Sequence, residues 1–142
     1  MVYQVNAIRF RIGVKGRESQ EADMVIVKDM EEFSVSFDNG IEEWTPFGAG
    51  GWTRRFMTAK SMSVAVSGKR NVDDLGNNYV AGLAFMNGEE TKSVLEVVFP
   101  DGARLVMPCV VNVTSAGGGS ASDIGGLEFE CVSDGKPEYV KV

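Results

Sequence analysis

The sequence contains no histidine. That removes the commonest general base, the commonest zinc ligand and the partner of most Ser and Cys nucleophiles. Cysteine is scarce as well: Cys109 and Cys131 are too few for a disulfide scaffold or a four-ligand metal site. No apolar run approaches the 18 residues that a membrane-crossing helix needs. The first ten residues, MVYQVNAIRF, have no basic leader or long apolar stretch of the signal-peptide kind, so the expected setting is a reducing cytoplasm. Bases are also in deficit. Fourteen Lys and Arg stand against 20 Asp and Glu, a formal charge of −6, so broad capture of nucleic acid is excluded because phosphate must be met by cations.

What is present suits a folded chain of one domain, 1–142. Hydrophobic residues are 44% and charged residues 24% of the 142, enough for a core and too apolar for disorder. Glycine is abundant at 17 residues, against about 7% in average usage, which points to many tight turns and short strands.

Apolar and polar residues alternate with period two at 4–13, 32–38, 60–67, 104–114 and 127–131, and short apolar runs fill 24–27 and 94–99. Asn39-Gly40 follows the stretch at 32–38 as a hairpin signal, with the return strand expected at Ile41. Pro100-Asp101-Gly102 is a second turn. One helix is expected over 73–86, where Leu75, Tyr79, Leu83 and Met86 form a stripe and Asn87-Gly88 ends it. A flexible polar loop is expected at 115–126. The fold class is therefore mainly β with one α-helix: a β-sandwich or partial barrel flanked by a single helix.

Motifs of catalysis fail on inspection. Gly48-Ala49-Gly50-Gly51 has Thr53 where a dinucleotide loop needs glycine, and no Gly-Lys-Ser/Thr follows. The oxygen-rich stretch 71–78 has Leu75 and Gly82 where a calcium loop needs ligands. Ser133 and Lys136 have the spacing of a Ser-Lys pair, but Gly135 and Pro137 make that segment a turn rather than a helix. Cys109 and Cys131 fall on inward phases and read as small core residues. No catalytic residue, metal or cofactor is expected.

The charge layout is more informative. Acids dominate 18–43, where Lys28 is the sole base, whereas 45–72 holds Arg54, Arg55, Lys60, Lys69 and Arg70 without an acid. Such segments either join copies head to tail or neutralise one another within a subunit. Trp44, Phe47, Trp52 and Phe56 lie in or beside a Gly-rich loop at about 42–58, together with Arg54 and Arg55. Aromatic rings with Arg are the composition of interface anchors. The competing possibility is a loop folded back to cap the subunit's own core.

Two long runs resemble a known family. GGWTRRFMTAKSMSVAVSGKRNVDDLGNNYVAGLAF (50–85) is similar to the central segment of the major tail proteins, or tail tube proteins, of long-tailed bacteriophages. The run from Leu95 to Pro137 is similar to their C-terminal half, through Phe-Pro-Asp-Gly, Asn-Val-Thr, the Gly/Ser loop, and Gly-Leu-Glu-Phe before Ser-Asp-Gly-Lys-Pro. The resemblance implies a sandwich or incomplete barrel with one helix, hexameric rings stacked into a hollow tube, and passage of viral DNA. It implies contact between neighbouring subunits and rings through the loop at 42–58, with other tail proteins as partners at the tube ends. It places the protein in a virion tail assembled in the bacterial host cytoplasm. Tubes of contractile tails and of type VI secretion share the fold. A soluble β-sandwich module that binds carbohydrate or protein is the alternative of a different class.

For a tube, electrostatics favours a lumen that is acidic or neutral, because a basic lining would hold DNA along its length. Candidates are the small polar Ser61, Ser63 and Ser67, and Glu128 and Glu130, which project opposite Leu127 and Phe129.

Overall fold

The computed structural model describes residues 1–141. Its strands are β1 (Arg9–Gly13), β2 (Met24–Ile26), β3 (Met30–Trp44), β4 (Arg54–Lys69), β5 (Lys92–Val98), β6 (Arg104–Ala116), β7 (Gly126–Ser133) and β8 (Glu138–Val140). One α-helix, α1 (Leu75–Gly82), joins β4 to β5. All strand pairs are antiparallel and belong to one sheet of order β2-β1-β5-β6-β7-β4-β3, with β8 beside β6. The sheet is rolled: Phe10 of β1 and Phe33 of β3 come from distant parts of that order, yet their rings lie 4.9 Å apart. No ladder joins β2 to β3, so the roll is a partial barrel rather than a closed one.

Alternation decides what fills it. Val64 and Val66 of β4, Leu105, Met107, Cys109 and Val111 of β6, and Leu127, Phe129 and Cys131 of β7 all point inward and are buried. Both cysteines are free and lie in this core. The hydrogen bond to Cys109, aided by burial, pushes the Cys131 thiol well above its ordinary pKa, which suits an inert core residue. The turn after β5 also forms as expected: Gly102 takes φ 89° and its amide donates to the Phe99 carbonyl at 2.9 Å.

Three local expectations are corrected. Asn39-Gly40 makes no turn; β3 runs straight through it, with Asn39 opposite Lys60 and Gly40 opposite Ala59. The long alternation of β4 offers a continuous partner, and the ladder outweighs a two-residue turn signal. Gly40 instead permits close approach: a Cβ there would lie 3.1 Å from that of Ala59, next to a bulge between Gly40 and Ile41. The chain reverses at 45–53, where Gly48, Gly50 and Gly51 supply φ of 83°, 65° and 86°.

At the N-terminus, residues Val5–Ala7 form a 3-10 turn, so the strand starts at Arg9. The helix is also shorter than its pattern. Asp74, not Asp73, caps it by accepting from the Asn77 amide at 3.0 Å, and a 3-10 turn, Leu83–Phe85, follows Gly82. Its buried face is Gly76, Asn77, Val80 and Ala81, whereas Leu75 is 62% exposed. Small residues win that face because the helix backbone must lie close to β2: a Cβ on Gly76 would be 2.3 Å from the Ile26 carbonyl oxygen.

Candidate assembly interface

β3 and β4 together make the longest feature of the molecule. β4 pairs with β7 only from Ser63 to Lys69, so its first half is bonded to β3 alone. The two strands leave the barrel as a two-stranded arm. The expected loop at 42–58 therefore narrows to 45–53, and its flanks are regular strand up to Trp44 and from Arg54.

The expected anchor residues gather on this arm. Phe47 is fully exposed at the turn, and Trp52 is 79% exposed beside it. Trp44 and Phe56 are also exposed, and the Arg54 guanidinium lies 5.9 Å from the Trp44 ring centroid. Arg55 Nε lies 2.9 Å from Glu43 Oε1, with both side chains open to solvent. Register and alternation put Trp44, Arg54 and Phe56 on one face of the arm and the Arg55–Glu43 pair on the other. None of these rings belongs to the core, so the fold-back arrangement is absent. Sequence reasoning missed Phe37, Ile41 and Met57, three more exposed apolar side chains on the arm. The alternation that continues past Gly40 was the signal for Ile41.

The other candidate group also comes together. Ser67 of β4 sits between Glu32 of β3 and Glu128 of β7. Ala65 sits opposite Glu130, and Ser61 opposite Asp38. The Ser36 and Ser63 hydroxyls are 2.9 Å apart. Ser61, Ser63, Ser67, Glu128 and Glu130 thus share the outward face of adjacent strands, and Glu32 and Asp38 extend the group. This band has no base until Lys69 at its border, 3.4 Å from a Glu31 oxygen. Glu32 and Asp38 were legible in principle, since they alternate with Phe33 and Phe37.

The far side of the same outward face is sorted differently. Glu96 of β5, only 3% exposed, lies 2.9 Å from Arg11 Nε and 3.2 Å from Arg104 Nη1. The Arg11 contact is ionic, without an aligned hydrogen bond. Elsewhere the rejected motifs stay apart from any site chemistry: Ser133 Oγ accepts from the Met62 amide at 3.0 Å, and no cluster of three or more His, Cys, Asp or Glu poised for a metal occurs among the described residues.

No protein-family model matches the chain, and no curated protein does. Solved structures do. A chain in the tail of an empty gene transfer agent particle, determined with helical refinement in C6 symmetry, superposes with a TM-score of 0.74 at 16% identity, over 98% of this chain and 99% of that one. This chain shares its fold with that particle-tail chain. A chain of the native gene transfer agent virion is similar as well, with a TM-score of 0.71, 16% identity and the same coverage. The likeness spans nearly the whole of this chain and of both neighbours, although few residues are shared.

Proposed function

We propose that the chain is a structural subunit of a phage tail tube, a single tail-tube domain without catalytic activity. Copies assemble into stacked hexameric rings around a conduit for DNA delivery, within a virion tail built in the host cytoplasm. The observation that carries this reading is the end-to-end likeness to a chain from an assembled particle tail. The structure supports it in two further ways. An arm bearing exposed aromatic rings and Arg is costly on a solitary protein, and contact with other copies offsets that cost. The serine and carboxylate band suits a non-basic lining through which DNA slides without being held, and on this reading Ser61, Ser63, Ser67, Glu128 and Glu130 face the lumen. Other tail proteins meet the tube at its ends.

The fold does not separate a non-contractile tail from a contractile or type VI secretion-like tube. A monomeric ligand-binding module is less well supported, because Trp44, Phe47, Trp52 and Phe56 sit on an arm and not in a concave face.

Negative-stain electron microscopy of the purified, concentrated chain tests the reading. Rings or hollow tubes are the expected result. A monomer at every salt and protein concentration sinks it.

A further inference from the structure

The rolled sheet has two unlike ends, and the strand registers identify them. The start of β3, the end of β4 and the start of β5 lie at one end. Helix α1 covers that end: Gly76 packs on the Ile26 carbonyl, and the Asn77 amide group donates to the Lys28 and Lys69 carbonyls at 3.1 and 2.9 Å. At the other end, from which the arm emerges, an apolar groove of about 870 Å³ opens. Val35 and Phe37 form one wall, and Phe99, Leu105 and Tyr139 the other. Lys60 and Lys136 stand in its lining. Neither lysine has an acidic partner among the described residues. The groove suits an apolar segment flanked by acids.

The chain itself offers one. Phe85 is 92% exposed and Met86 is exposed beside it, with Glu89 and Glu90 close behind. Glu89 touches only Lys92 of its own subunit, at 3.0 Å, and Glu90 has no ion-pair partner among the described residues. Other exposed apolar groups fit less well. Met1 and Val2 have no acid near them, and Phe47 and Trp52 would bring Arg54 and Arg55 up to two lysines. Val72 and Leu75 lie at the covered end beside exposed Asp73.

We propose that Phe85 and Met86 of one copy insert into the groove at the arm end of another, with Glu89 and Glu90 facing Lys60 and Lys136. This rests on the tube-subunit reading and adds which surfaces meet. Phe85 and Met86 do not reach the apolar wall of their own subunit's groove. The segment ends where β5 begins, the Phe99 wall lies just past the end of β5, and seven strand residues separate the two by about 23 Å. Two different surfaces meet, so the contact does not close on itself as a two-fold dimer would, and copies add along the barrel in one direction.

The test uses the full chain in two variants, Phe85→Cys and Phe37→Cys, both at exposed positions. The native cysteines are fully buried and stay silent. Mild oxidation of the mixture should give a disulfide-linked dimer on a non-reducing gel, and neither variant alone should. Independently, Lys60→Glu with Lys136→Glu should raise the concentration needed for assembly about tenfold or more, and adding a copy with Glu89→Lys and Glu90→Lys should restore it. Tubes visible by microscopy in a mixture that yields no linked dimer overturn this contact and leave the tube reading standing. An unmodified chain that forms no tube overturns both.

Discussion

Trp52→Ala combined with Arg54→Glu and Arg55→Glu will stop assembly while leaving the subunit folded. The side chains are exposed on a two-stranded arm, away from the core, so their loss removes little from the isolated subunit. The interactions they make there are a ring contact of Arg54 at 5.9 Å and a solvent-open ion pair of Arg55, each worth about 1 kcal/mol or less. The thermal midpoint should therefore move by no more than about 4 °C per kcal/mol lost. At an interface the same residues count for far more, since a buried Trp or Arg anchor costs about 2 kcal/mol or more when removed, and charge reversal adds repulsion. Sedimentation and melting of the variant decide the matter. Normal tube formation would show that the arm is no anchor, and a collapse in melting temperature would show that it serves its own subunit.

The largest expected loss of stability is at Asn77. This side chain is fully buried and joins three segments. Its oxygen accepts from Arg70 Nη1 at 2.9 Å and from the Asn71 amide at 3.0 Å, while its nitrogen donates to the two carbonyls named above. Asn77→Leu keeps the branched shape and the number of heavy atoms, and strands two carbonyls and an amide without partners. At about 1–3 kcal/mol per buried unsatisfied group, the cost is about 4 kcal/mol, or about 16 °C in melting temperature. A loss under about 1 kcal/mol would mean that water fills the place of the amide. Below its melting point the variant should still assemble, which separates this effect from that at the arm.

Much of the fold was legible because a half-buried strand writes its two faces into alternate residues. That is why Leu127, Phe129 and Cys131 point inward and Glu128 and Glu130 outward as read. Alternation says nothing about neighbours distant in sequence. Nothing near Ser67 shows that Glu128 will lie beside it, so the acid band emerges only from the β4–β7 ladder. Asn39-Gly40 misled for the same reason, because the deciding partner, Lys60 to Ala59, lay outside the local window. The helix stripe misled differently. A search for large apolar residues passes over Gly76 and Asn77, whose value lies in small size and in hydrogen bonds. Glu96 was invisible as a buried acid because the arginines that hold it, Arg11 and Arg104, come from two other strands.

The pairing of β1 also has a consequence for how the chain is made. One edge of β1 pairs with the nearby β2, but its other edge, with Arg9 opposite Val98, waits for a partner that comes most of the chain later. The β3–β4 hairpin needs only the nine-residue turn at 45–53 to close, and contacts near in sequence form faster than distant ones. Pulse-labelled hydrogen exchange during refolding should find amides of β3 and β4 protected before those of β1, and simultaneous protection would refute that order. The strand that leaves the ribosome first then joins the body of the sheet only after β5 is made, so the sheet is completed onto the oldest part of the chain.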